Sequence, residues 1–166
     1  DRLSRKDDRL ELSLAHASWL GFCFIWLVMF WWWEYRFSTR VSDWAFGLYS
    51  FLICYAVTLF LLQAVLIPRT WDGVTSLKDY FLERRVWFYS ILLFARILDQ
   101  FDSYLKGGLD YILQTGVVNL ALAAATIPVV IIGIRSTNMR FHNIMATIML
   151  GWQALLGFNF LEILAI

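Results

Sequence analysis

Arg96, Asp99 and Asp102 follow one another at three-residue steps inside a long, mostly apolar run. Three residues is a helix-neighbour spacing, so Arg96 and Asp99 can pair along one helix. Pairing lowers the cost of burying each charge. Asp99 and Asp102 repeat the step, and a bound cation would relieve the repulsion between them. The chemistry within reach of this group is therefore the holding of a cation or a small polar solute. Glu34, Asn119, Gln153 and Glu162 lie in other apolar runs. If those runs are helices of one bundle, these four can add to a polar cavity built on Asp99, Asp102 and Arg96. Gln114 falls near the same depth.

Catalytic motifs are missing. The chain has no P-loop, G-x-G-x-x-G, H-E-x-x-H or G-x-S-x-G pattern, and so none of the chemistry those backbones and ligands support. Cys23 and Cys54 form no C-x-x-C or zinc spacing; they read as small buried hydrophobes. His16 and His142 fall at the inner ends of two runs, the arrangement that bis-histidine haem ligation would need. A solvated interfacial histidine explains each as well, so no cofactor is expected. The expectation is a non-enzyme.

The elements that must position these groups follow from hydropathy. Of 166 residues 60% are hydrophobic, with mean hydropathy +0.63. Soluble domains hold roughly 45–50% apolar residues. A chain this short cannot hide the excess in one core, so the surplus must face lipid. The expected fold is all-α: one transmembrane domain over 1–166, a polytopic bundle of about five membrane-spanning helices with short loops. A surface or leader helix is expected at 1–15 and spans at about 17–37, 44–67, 86–105, 111–134 and 141–166. Pro68 ends the second span. Ser76 followed by Asp79 reads as a capping box that starts a helix near Leu77. Gly107 and Gly108 end the third span, and Ala121 and Ala125 form a small-xxx-small step in the fourth. Each span has about the 20 residues that a ~30 Å hydrocarbon core requires. At ~1.5 Å per residue, Arg96 lies ~15 Å in, near the midplane. Asp102, Lys106 and Glu34 approach the outer boundary, where they can also sit among headgroups.

Charge sets the orientation. With five spans, ten basic residues (Arg2, Arg5, Lys6, Arg9, Arg69, Lys78, Arg84, Arg85, Arg135 and Arg140) fall on one side. Arg36, Arg40 and Lys106 fall on the other. The positive-inside rule then puts the N-terminus in the cytoplasm and the C-terminus outside. Trp19, Trp31, Trp32, Trp33, Trp44, Trp71 and Trp87 fall near the expected interfaces, as anchoring rings would. A net charge of +1 offers no field for nucleic acid. The expected setting is a bacterial inner membrane, with the lipid bilayer and a second copy or other membrane subunits as partners. Two functions fit. One is a small transport or channel-like protein with an outward-facing polar cavity for a cation or small polar solute. The other is a non-catalytic accessory subunit of a larger membrane complex.

Overall fold

The computed structural model describes residues 12–38, 45–72, 74–115 and 117–164. Most of the leader expected at 1–15 therefore lies outside the described residues. Those described form an all-α structure of five helices: α1 (Leu14–Ser38), α2 (Phe46–Ala64), α3 (Leu77–Thr115), α4 (Val117–Arg135) and α5 (Met139–Leu164).

Local chemistry explains the ends. At the start of α3 the Asp79 N–H donates to Ser76 Oγ at 3.3 Å, the cap that the Ser-x-x-Asp spacing promised. Ser76→Ala removes that acceptor from a buried helix start and should cost about 0.5–2 kcal/mol. Thermal unfolding followed by circular dichroism should show a melting temperature lower by a few degrees. Asn138 opens α5, its Oδ1 accepting from Arg140 N–H at 3.0 Å. α2 stops at Ala64, short of the expected 67. Leu66 and Ile67 close tight turns onto Gln63 and Ala64 ahead of Pro68.

Gly107 and Gly108 leave helical geometry and break the third segment there; the helix resumes beyond them to Thr115, and α4 is described from Val117. Gly108 adopts φ 68°, ψ −160°, a region that is essentially closed to residues with a Cβ.

Hydrogen bonds between helices show that the chain direction alternates. His16 near the start of α1 meets Leu66 just past α2. Tyr80 early in α3 donates to the Ile67 carbonyl at 3.2 Å. Arg85 Nε donates to the Ile134 carbonyl at the end of α4, at 3.2 Å. Asn143 at the start of α5 accepts from Ala15 N–H at 2.9 Å. One end of the bundle thus gathers three helix starts and two helix ends. Arg85 there supplies a cation and a donor to the orphan carbonyls of α4. α1 packs most extensively on α5, and α3 on α4. The core between them is aromatic: Trp19, Phe22, Trp26, Phe30, Tyr55, Phe81, Phe88 and Tyr89 are all buried. Trp19, expected as an interfacial anchor, is fully buried against Phe22, Phe88 and Tyr89. Trp31, Trp71 and Trp87 are exposed. Cys23 is buried but Cys54 is exposed.

Among the described residues two helices, α1 and α2, are long and apolar enough to cross a bilayer, and Ala123–Arg135 is a shorter apolar stretch. α3 does not qualify; Arg96, Asp99, Asp102 and Lys106 all lie along it.

Candidate functional site

α1 ends beside the stretch of α3 that precedes the two glycines. There Lys106 Nζ donates to Glu34 Oε1 on α1 and to Asp102 Oδ2 on its own helix, each at 2.5 Å. Asp102 to Lys106 is a four-residue step, so the helix itself aligns that pair. Glu34 and Asp102 are each 6% exposed. All three side chains are turned into the protein rather than toward its surroundings. The Phe37 ring lies 5.4 Å from the ammonium. Glu34 Oε2 and Asp102 Oδ1 are buried with no hydrogen-bond partner. Two carboxylates thus face one ammonium, and each keeps one oxygen unsatisfied.

One turn and more below, Arg96 is also buried, at 6% exposure. Its guanidinium lies 4.1 Å from the centre of the Trp26 ring and 5.7 Å from that of Phe22, both on α1. A desolvated cation over an indole face contributes about 2 kcal/mol. The expected ion pair with Asp99 is present, at 3.7 Å. That distance is charge attraction without a hydrogen bond. Asp99 also has a closer partner in Tyr55 on α2, whose hydroxyl donates to Oδ1 at 2.8 Å. Three helices therefore meet at Arg96 and Asp99.

Of the residues singled out from sequence, the structure brings Glu34 and Asp102 together around Lys106, and Arg96 and Asp99 together one step deeper. Gln153 on α5 is buried, with no hydrogen bond linking it to either group among the described residues. The side chains of Asn119, Glu162 and Gln114 lie outside the described residues. Lys106, Tyr55 and Trp26 complete the site without having been singled out as its members. The Asp102–Lys106 spacing was the available signal for the first. Tyr55 and Trp26 sit in apolar runs where aromatic residues read as packing.

At the opposite end the two histidines are buried, contrary to the solvated interfacial placement. His16 Nε2 donates to the Leu66 carbonyl at 2.6 Å. His142 Nε2 lies 3.0 Å from the Ser136 carbonyl, which can only accept, so this nitrogen carries the proton. Nδ1 then accepts from the Tyr89 hydroxyl at 2.9 Å. These bonds tie α1 to the chain just past α2, α3 to the start of α5, and the start of α5 to the turn before it.

No known family matches this chain. No curated protein and no solved structure matches it either. Among the described residues no group of three or more His, Cys, Asp or Glu could hold a metal ion.

Proposed function

We propose that this chain is a small multi-pass membrane protein of transport or channel type, whose outer polar centre takes a cation or small polar solute. The observation that carries this reading is the Glu34–Lys106–Asp102 cluster. Two buried carboxylates from two helices converge on one cation inside an apolar bundle, with more negative charge than the ammonium neutralises. A lock needs only one carboxylate per ammonium. Ionisable groups at membrane depth are costly and mark ion or solute pathways.

The membrane setting is supported by what the helices leave exposed. Phe24, Val28 and Trp31 on α1 are exposed, as are Ile53, Val57 and Phe60 on α2. So are Phe94, Ile97 and Phe101 on α3, Ile127 and Ile131 on α4, and Ile144, Ile148, Trp152 and Leu155 on α5. Each set recurs every three or four residues, which makes a continuous apolar stripe. Five such stripes exceed what a soluble monomer shows and suit lipid. Arg69, Lys78, Arg84, Arg85, Arg135 and Arg140 belong to the end where α3 and α5 start. The positive-inside rule assigns that end to the cytoplasm, which makes the Lys106 cluster outward-facing.

A second reading has its own observation. Ala121, Ala124 and Ala125 on α4 are exposed, and small residues let another helix approach closely. That favours an accessory subunit seated on a larger membrane complex, or a second copy of the chain.

The test is reconstitution into vesicles, with flux of protons, alkali cations and small amines measured for wild type, Asp99→Asn and Asp102→Asn. Both substitutions should abolish flux. Cysteine labelling in a background without Cys54 should find positions 38 and 107 on one side of the membrane and 73 and 138 on the other. If both variants stay folded with unchanged flux and unchanged cation-dependent stability, the cluster is structural and the accessory reading replaces this one. Labelling of 38 and 73 from one side would overturn the multi-pass arrangement.

A further inference from the structure

The Lys106 ammonium is held as a bound cation would be held. It reaches a carboxylate oxygen on each of two helices at hydrogen-bond distance. Its side chain is 10% exposed, against 7% for Glu34 and 9% for Asp102. The two remaining oxygens, Glu34 Oε2 and Asp102 Oδ1, are buried and unpartnered. A carboxylate oxygen sealed from water without a donor is costly, more so when charged. A single tethered ammonium with three donors leaves this pair of acids under-satisfied. The chain also changes course right behind the lysine, at Gly107 and Gly108. Glycine accepts such a break at little steric cost, so the lysine sits in the last turn before it, where a helix frays most readily.

We propose that Glu34 and Asp102 form a binding site for a small primary ammonium ion, and that Lys106 is its tethered occupant, withdrawn by unwinding of the last helical turn ahead of the Gly107–Gly108 break. The inference rests on the cation-handling reading above and deepens it by naming the ligand class and the element that competes with it. A free ammonium carries the same three donors without the tether, so it can turn its third donor toward the oxygens that the lysine leaves unpartnered; binding and lysine withdrawal are one exchange. The ligand is selected by size and by hydrogen bonding. A methylammonium ion presents the three donors of the lysine tip, whereas tetramethylammonium presents none.

Lys106→Ala tests this through chemical rescue. The purified variant should melt well below wild type and retain its helical signal. Methylammonium or ethylammonium should restore about half or more of the lost melting temperature, because a ligand that binds only the folded state stabilises it by mass action. Tetramethylammonium and potassium at equal ionic strength should not. Adding Glu34→Gln and Asp102→Asn to Lys106→Ala should remove the surplus charge, restore stability without amine and abolish the response to it. If Lys106→Ala is recovered folded only when methylammonium is present during extraction, the proposal stands. If no primary amine raises its melting temperature or its recovery, whether or not the triple variant folds, the proposal is overturned. Equal rescue by tetramethylammonium or potassium overturns the ammonium assignment. The outcome is separable from that of the flux experiment. Rescue without wild-type flux leaves a binding site with no transport. Flux that depends on Asp99, without rescue, places the pathway elsewhere.

Discussion

Asp99→Ala should destabilise this protein more than the double change Asp99→Ala with Arg96→Leu. The single substitution leaves the Arg96 guanidinium buried against the Trp26 and Phe22 rings without its carboxylate. Stranding one member of a buried ion pair costs about 3–5 kcal/mol, whereas exchanging both for apolar groups is often neutral. The pair here is loose, at 3.7 Å, and Arg96 Nε has no hydrogen-bond partner. The cation–π seat on Trp26 therefore keeps part of the arginine's stabilisation when Asp99 is gone. Tyr55→Phe isolates the remaining piece. It removes the 2.8 Å bond to the carboxylate and should cost about 1.5–3 kcal/mol, as for other hydrogen bonds to charged groups. The measurement is a double-mutant cycle on thermal or denaturant unfolding in detergent. Strictly additive losses for Asp99 and Arg96 would refute the coupling.

The other large effect is expected at Gly133, from sterics alone. A Cβ added there would lie 2.5 Å from two atoms of the Tyr89 ring and 2.8 Å from a third. Real side chains do not approach so closely, so one partner must move. Tyr89 cannot move readily. It is fully buried, packed against Trp19, Phe81, Phe88 and His142, and bonded through its hydroxyl to His142. α4 must then shift away from α3, its most extensive partner. Overpacking costs about 1–3 kcal/mol and occasionally more. Gly133→Ala should lower the melting temperature by several degrees. Combining it with Tyr89→Leu should cost less than the sum of the two single changes, because the ring is the obstacle. A fully additive double variant would remove Tyr89 from the explanation.

Part of this architecture could be read before any coordinates. The Ser76–Asp79 spacing marks a helix start because a cap is a local device, complete within four residues. Arg96 and Asp99 could be paired for the same reason: a three-residue step says what a helix places side by side. The all-α class followed from long apolar blocks, which leave strands no alternation to work with. What could not be read is which face of each helix turns inward. α1 is apolar nearly all round, so nothing in its pattern separates buried Trp19 and Trp26 from exposed Phe24 and Trp31. Lys106 was placed at the outer boundary because one helix taken alone locates a residue by depth. Its burial depends on Glu34, 72 residues away in sequence. Small residues met the same limit. Ala121 and Ala125 drew notice by their spacing, yet they face outward. Gly133, isolated among branched residues, is where two helices close up.

The packing of α1 on α5 also has a consequence for how the chain is made. Ala15 and Asn143 are hydrogen-bonded across 128 residues. At ordinary translation speeds that separation is about 6–25 s of synthesis. Throughout that interval α1 exists with its aromatic face lacking its principal neighbour. α2 and α3 emerge first and also pack on α1, so they shelter it in the meantime. The nascent bundle is thus an open arrangement of α1 to α4 before α5 closes it. Damage to α5 therefore acts late, on a chain already committed to everything except its final seal.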